Sequence, residues 1–561
     1  MSTDPEQLPL GQKIATMIGA LLGLFLAALD QTIVSTAGPF IQKDLSIEPG
    51  IYVWITTAYL VASTVLVPIY GKLSDLYGRR RILLIAIGIF LAGSMACGLS
   101  QSAAQLIASR AVQGVGSAGL FTSAFAIAAD LWAPAERGKW QGIFGAAWGV
   151  SSVIGPLLGG VLTEQLNWHW TFFVNMPIGA AAVGLILAKM PPLRREQKET
   201  PKLDIAGAIA LAVATLPLLL GLSLGHAEGT GQTTGWPWKS WQIAALFATS
   251  AGGIIAFIMV ELRSKNPLLD FKLFSIKTFR IGSLATFVVG SAFLGAIVFL
   301  PLFMVNVVGL SATSSGLTTM PLTFGIVVAN IASGQLVSRL GSYKGLLIGS
   351  LVVLIASFAW FALTLNTGST RFDISLKMVF LGIGLGPSIP LFTLAIQTSA
   401  PMPQIGVATA AATFFRQMGT TIGIAIIGTI FATSFASSLH RDMPKPEEMP
   451  PQMRAMMEKK GGGGGEGGAR VAFDAKAVKA KADAGIEMAP MPDFAKAQAK
   501  ENAHAAIDKV DHAFKSAFTN SLVNVFWVSL VIAIVGFLIT IFLPSLPLRT
   551  GGGPRPAPPP E

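Results

Sequence analysis

Hydrophobic positions run along this chain in stretches of about 20 residues or more, each long enough as a helix to cross ~30 Å of hydrocarbon. They fall at residues 13–41, 50–72, 81–100, 103–128, 139–162, 168–189, 204–225 and 238–262. Six more follow at 278–308, 315–338, 343–366, 372–398, 404–436 and 516–543. The pattern predicts fourteen membrane-spanning helices. Polar intervals supply an independent check: connections on the side of the N-terminus carry eighteen Lys and Arg, whereas the short connections on the other side carry three, Lys43, Lys239 and Arg371. Cytoplasmic loops accumulate Lys and Arg, so both termini are expected in the cytoplasm and the number of spans is even.

One interval breaks the charge rule. Residues 437–515, on the outer side, hold thirteen basic and twelve acidic residues around a glycine tract at 461–468. Long loops escape the rule. The Met-rich stretch with Met449, Met453, Met456 and Met457, and the Ala/Lys-rich stretches Ala475 to Ala484 and Phe494 to Phe518, have helical composition. A partly ordered extracytoplasmic insertion is expected, one that could receive an adaptor protein.

A repeat organises the spans. Gly71-Lys72-Leu73-Ser74-Asp75-Leu76-Tyr77-Gly78-Arg79-Arg80-Arg81 follows span 2, and Gly334 to Lys344 follows span 10, an offset of 263 residues (334 minus 71). Two related six-helix bundles would place these loops six spans apart; they lie eight apart, so two spans are inserted. The expected architecture is an all-α polytopic membrane protein arranged 6+2+6. Residues 1–12 form a cytoplasmic N-terminus, 13–189 the first bundle and 190–277 the inserted helices with linkers. Residues 278–543 form the second bundle, including the 437–515 insertion, and 544–561 a disordered cytoplasmic tail. The functional cavity is expected between the bundles at mid-membrane.

Composition narrows the function. The 561 residues are 52% hydrophobic and 12% charged, against about 25% charged in an average soluble domain, which excludes most soluble enzyme folds. The net charge of +11 would suggest nucleic acid in a soluble protein; basic cytoplasmic loops account for it here, and no nucleic-acid partner is expected. Cys97 is the only cysteine, which rules out an internal disulfide and a cysteine-based metal cluster. The five histidines avoid mid-membrane positions, and no phosphate loop, metal-ligand set or Ser/His/Asp set is apparent. Neither a cofactor nor a metal is expected. The first apolar stretch has no small-residue cleavage site after a short core, so it reads as a retained span.

Charges deep in apolar spans are costly, by ~2.5–3.5 kcal/mol on insertion scales. Three stand out: Asp30, Arg110 and Arg416. Asp30 and Arg110 share the outer half of the membrane within about a turn and are able to pair. Such a pair either carries protons or fixes helix packing. Arg110, Gln113, Gly114 and Ser117 lie on one face of span 4, and Gly114, Gly116 and Gly119 admit a close neighbour. Arg416 shares its face with Thr409, Thr413 and Thr420, a polar stripe that reads as cavity lining or as packing through Thr hydroxyls. Tyr59 and Trp148 are aromatic cavity candidates for a cation with an apolar body, or ordinary packing residues. Gly155-Pro156-Leu157-Leu158-Gly159-Gly160 in span 5 predicts a bend and a close contact, either sealing the inter-bundle interface or merely kinking the helix. Asp75 and Arg79, with Gly71, Gly78 and Arg80, form a topology anchor or a charged latch paired with another helix end. Asp130, Glu261 and Lys377 near span ends read as snorkelling residues.

Taken together these motifs resemble the major facilitator superfamily, and within it the 14-span drug:proton antiporter branch of EmrB/QacA-type multidrug exporters. Gly71 to Arg81 resembles the loop motif between spans 2 and 3. Leu29 to Val34 with Pro39 is similar to the span-1 motif, Arg110 to Gly114 to the span-4 motif and Gly155 to Gly160 to the antiporter motif. The resemblance implies coupling through Asp30 and Arg110, a latch at Asp75 and Arg79, and an antiporter bend at Pro156. It implies a proton-driven exporter of amphipathic or hydrophobic small molecules in the bacterial inner membrane, by alternating access. Multidrug efflux and export of lipids or fatty acids with help from 437–515 are both open. A proton-translocating subunit of a respiratory complex is the alternative from another class, and it would require Lys, Glu and His across the membrane centre.

Overall fold

The computed structural model describes residues 8–47, 49–193, 203–226, 235–309, 320–443, 475–488 and 492–548. Arg194, Arg195, Lys198 and Lys202, the Met449–Met457 stretch, the glycine tract and the tail from 549 onward lie outside the described residues.

The apolar runs fold as helices: α1 Leu10–Asp44, α2 Pro49–Tyr77, α3 Arg79–Gly98, α4 Ala103–Leu131 and α5 Pro134–Gln165. The short α6 Trp170–Phe173 and α7 Asn175–Lys189 follow, then α8 Ile205–Leu224, α9 Trp241–Arg263 and α10 Lys277–Asn306. Next come α11 Met320–Leu340, α12 Lys344–Thr364, α13 Arg371–Leu385, α14 Ser388–Ser399 and α15 Ile405–Asp442, with α16 Ala475–Glu487 and α17 Asp493–Ile541 at the end. Among the described residues, thirteen segments are long and apolar enough to cross a membrane. Boundaries follow local chemistry. Side chains of Ser102, Asp204, Ser240 and Thr370 accept the backbone N–H three residues on, satisfying an orphan donor at the starts of α4, α8, α9 and α13. Gly78 and Gly341, separated by the repeat offset, both take positive φ (93° and 64°), which a residue with a Cβ rarely adopts.

The structure departs from the sequence expectation in four places. The run at 168–189 is divided between α6 and α7, and the run at 372–398 between α13 and α14, where Gly386-Pro387 interrupts regular hydrogen bonding. The sequence from Phe494 onward is not a separate helix. It is continuous with the final span in α17, whose 49 residues extend ~73 Å at ~1.5 Å per residue, more than twice the hydrocarbon thickness. Finally, the all-α expectation misses a two-residue parallel pairing of Gly225–His226 with Trp236–Pro237 between α8 and α9.

Buried apolar side chains form two main clusters. One gathers Met17, Leu83, Phe90, Leu120 and Phe144 in the first half; the other gathers Phe303, Leu351, Phe358, Leu381 and Phe526 in the second. Helices α8 and α9 pack on each other, with the Ser250 hydroxyl donating to the Ala214 carbonyl at 2.6 Å. Leu219 of α8 joins Val61 and Val65 of α2 and Met418 of α15, so α8 lies along the seam between the halves. Across that seam α2 packs on α15 and α5 on α11, a reciprocal pairing of repeat-related helices.

Candidate functional site

Asp30, in the middle of α1, is fully buried and receives three donors. Arg110 of α4 reaches one carboxylate oxygen at 2.6 Å, while Gln113 of α4 and Asn175 of α7 reach the other at 2.7 and 3.0 Å. The Arg110 guanidinium also donates to the Gln113 side-chain oxygen at 2.7 Å and to the Ile55 carbonyl at 3.2 Å, and it stacks 4.3 Å from the Tyr59 ring centre. Asn175 is oriented in turn by Ser94 at 2.9 Å, whose hydroxyl donates to the Phe172 carbonyl. Burying an ion pair is tolerable only when such extra hydrogen bonds satisfy the remaining lone pairs and protons.

The structure thus brings Asp30 and Arg110 together, as their depths suggested, and corrects the expectation for two neighbours. Tyr59 and Gln113 are fully buried and belong to this centre rather than to a cavity wall. The helical face of α4 that carries Arg110 and Gln113 looks into the interior of the first bundle, and the Tyr59 ring is covered by the protein's own guanidinium. Its hydroxyl donates to Ser117 at 2.6 Å. Asn175 went unrecognised as a site residue: an asparagine within the 168–189 run has no intrinsic signal, and only the approach of α7 to α1 makes it a donor.

At the end of the bundle nearer the N-terminus, Arg79 is buried and bonded to Asp75, to Ser74 and, at 2.7 Å, to Asp130 of α4. Asp130 is therefore no snorkelling residue. It helps neutralise a guanidinium that the turn at Gly78 directs inward. Asp75 accepts the backbone N–H of Val407 at 3.0 Å, in the first turn of α15, where helix dipole and orphan donors favour a carboxylate. Gly71 permits the approach, since a Cβ there would meet Gly406 and Ala410. Arg80 lies outside this junction and donates to the Leu187 carbonyl at 2.7 Å. One layer further in, Gln141 of α5 donates to Gln397 of α14 at 2.7 Å, and Gln397 donates to the Phe125 carbonyl at 3.2 Å and to Thr409 at 2.8 Å. These two glutamines had no sequence signal beyond being polar in apolar runs.

The glycines of α5 divide their work differently from expectation. Gly138, Gly142, Gly145 and Gly149 face α11, where added Cβ atoms would meet Val337, Asn330 and Val327; these residues make the close inter-bundle contact. Gly155 and Gly159 of the predicted antiporter motif instead abut Thr32 and Ile33 of α1, inside the first bundle, and Gly160 faces open space. The Thr32 hydroxyl lies 2.9 Å from the Ser151 carbonyl, one residue before the carbonyl that Pro156 deprives of its N–H partner. The motif therefore clamps α5 to α1 and does not seal the inter-bundle interface. Trp148 is partly buried and packs on the first core cluster. Arg416 is half-buried, its backbone seated against Gly290 of α10, and Thr420 donates to the Gly290 carbonyl at 3.2 Å. Glu261, at the end of α9, accepts the backbone N–H groups of Leu268 and Leu269 at 3.2 and 3.1 Å, and Lys377 pairs with Asp373 at 2.6 Å. Glu261 anchors the turn after α9, whereas Lys377 is buried within α13 and is no snorkelling residue. No cluster of three metal-binding side chains occurs among the described residues.

Two helical halves with reciprocal packing, a buried charge centre in one and a sealed junction at one end define a polytopic membrane carrier. Comparison with known proteins agrees: residues 20–424 match the Major Facilitator Superfamily, and the chain belongs to that family of transporters. It is 34% identical over 549 residues to the multidrug transporter protein MdtP of Bacillus subtilis (strain 168), covering 98% of this chain and 95% of the relative. It is 37% identical over 426 residues to multidrug resistance protein 3 of the same organism, covering 76% and 80%. Among solved structures, the proton:xylose symporter XylE superposes with a TM-score of 0.56 at 12% identity, covering 95% of this chain and 96% of that one. The human organic anion transporter MFSD10 superposes at 0.58 and 17%, covering 76% and 96%. At these identities the likeness is one of fold.

Proposed function

We propose that this chain is a proton-coupled antiporter exporting amphipathic or hydrophobic small molecules, multidrug efflux in kind, across a bacterial inner membrane. The observation that carries the reading is the sealed Asp30 centre. Its carboxylate is held by Arg110, Gln113 and Asn175 with no exposure, so a proton reaches it only when α1, α4 and α7 shift relative to one another. The Arg110 contact is made and broken by the same helix movement that opens the centre, which ties proton access to helix movement. The relatives named for multidrug transport support the choice of cargo.

In this reading α10, a 30-residue apolar helix, supplies the fourteenth span, and the bundles alternate 6+2+6 with both termini cytoplasmic. The junction made by Asp75, Gln141 and the α5 glycines then closes the cytoplasmic side. Release of that junction, with closure of the opposite side, moves the cargo. The proton gradient, at ~2.3 kcal/mol per charge per 100 mV plus the pH term, is the energy source, and no cofactor takes part. The hairpin of α16 on α17 stands outside the cell membrane as a surface for an adaptor protein.

The test is transport in proteoliposomes with an imposed pH gradient, reading proton movement and cargo together. Cargo movement against its gradient, coupled to proton flux in the opposite direction and absent in Asp30→Asn, is expected. Exchange at the wild-type rate in Asp30→Asn would remove Asp30 as the carrier.

A further inference from the structure

Inside the helical bundles, charge is compensated almost everywhere. Asp30 and Arg110 neutralise each other, and Lys377 is matched by Asp373. Arg416 is the exception: among the described residues its guanidinium has no hydrogen-bond or ion-pair partner.

The direction of this side chain follows from helix geometry. Thr409, seven residues earlier on α15, lies within about 20° of Arg416 around the helix axis. Thr409 accepts from Gln397, which is itself bonded across the seam to Gln141 and to the Phe125 carbonyl of the first bundle. At the level of Thr409 that face of α15 looks at the opposite bundle, while at Arg416 and Thr420 the helix backbone also rests on Gly290 of α10. Arg416 stands ~10 Å further along, beyond the layer where the halves are hydrogen-bonded together, with Thr413 and Thr420 on either side of it. The cationic cargo suggested by aromatic cavity residues has little to meet here. Tyr59 is covered by Arg110, Asp30 is sealed and Asp75 is committed to Val407.

We propose that Arg416 is the recognition point for a carboxylate on an amphipathic substrate. The guanidinium fork matches a carboxylate bidentately, and a half-buried position within the helical bundles leaves its charge less screened than at a protein surface. The site selects anionic over neutral cargo and rejects cations of the same shape. This deepens the export reading and rests on it, but equilibrium binding tests it without any need for coupling.

The experiment measures scintillation-proximity binding of radiolabelled naphthoate, naphthamide and naphthylmethylammonium to the full chain in nanodiscs. Wild type is expected to bind naphthoate about tenfold tighter than naphthamide, the strength of a hydrogen bond to a charged group, and the ammonium more weakly than either. Arg416→Gln should bring the carboxylate-to-amide ratio to about one with naphthamide affinity unchanged, which also shows that the fold is intact; Arg416→Lys should fall between. An unchanged ratio in Arg416→Gln, tighter binding of the ammonium by wild type, or no naphthoate binding by wild type overturns the proposal. Proton-driven export of other cargo would survive that failure. Conversely, a carboxylate preference without proton-driven transport would sink the export reading alone.

Discussion

Asp75 of the first bundle accepts the backbone N–H of Val407 of the second at 3.0 Å, joining positions 332 residues apart. The contact uses a carboxylate as a cap for another bundle's helix, and it forms only while α2 and the start of α15 touch. Capping interactions contribute about 0.5–2 kcal/mol, enough to shift a two-state equilibrium several-fold. Val407→Pro removes that donor at a first-turn position where proline is comparatively well tolerated. Both Asp75→Asn and Val407→Pro should raise the population open at the latch side. The readout is thiol labelling of a single cysteine placed near Gly406 in a Cys97→Ala background; unchanged labelling in both would mean that the contact does not hold the junction.

Gly145 and Asn330 provide a test by compensation. A Cβ at Gly145 would meet the Asn330 side-chain amide, whereas one at Gly142 would meet the Asn330 backbone carbonyl. Gly145→Ala should therefore cost about 1–3 kcal/mol of stability through overpacking and be rescued by Asn330→Ala. Gly142→Ala should not be rescued. The Asn330 amide is buried without a hydrogen-bond partner, so Asn330→Ala alone should leave thermal stability unchanged or raised. Thermal unfolding in detergent distinguishes the three single variants and the two double ones.

Within the span-5 motif, Gly155→Ala and Gly160→Ala should behave oppositely. The first collides with Thr32 of α1, and the second enters open space. Loss of about 1–3 kcal/mol is expected for Gly155→Ala and little for Gly160→Ala, read by thermal unfolding and by transport. Equal effects at both positions would show that the motif acts through something other than the α1 contact.

The Asp30–Arg110 pair predicts a stability signature separate from transport. Removing one partner of a buried pair leaves a charge uncompensated, at about 3–5 kcal/mol. Arg110→Ala should approach that loss. Asp30→Asn should cost less, because Arg110 keeps the Ile55 carbonyl, Gln113 and the Tyr59 ring. The double variant Asp30→Asn with Arg110→Gln should recover most of the stability while remaining inactive. Recovery of transport as well would make the pair a packing device only.

Acidification should loosen the hairpin of α16 on α17. Glu487 is hydrogen-bonded to Lys500 at 2.5 Å, and that contact holds its pKa below the ordinary carboxylate value. A depressed carboxylate contributes stability that is present above its unfolded value, about 4.3, and lost as pH falls through the folded one. Amide protection in Ala475–Glu487 should fall below about pH 4, modestly because these groups are exposed, and the apolar contacts of Ile486 and Ile507 should keep the hairpin paired. Unchanged protection would assign its stability to those contacts alone.

How much was legible beforehand depended on the range of the interaction. Among the described residues the apolar runs became helical, two of them divided between two helices, because a span of 20 apolar residues satisfies its backbone internally and carries that requirement in its own sequence. The repeat at Gly71 and Gly334 was legible for the same reason, its glycines at 78 and 341 being needed by a local turn. The pairing of Asp30 with Arg110 was within reach because two costly charges at one depth have few other partners. Which face of α4 meets which neighbour was not within reach. Tyr59, Gln113 and Asn175 became a single centre through the approach of α1, α2, α4 and α7, and the α5 glycines split between α11 and α1 by helix rotation. Residues at helical spacing define a stripe, but the stripe alone does not say what it faces. Local hydropathy determined the elements of this protein; close packing between bundles, a property of no single segment, decided which polar groups are spent on one another and left Arg416 uncompensated among the described residues.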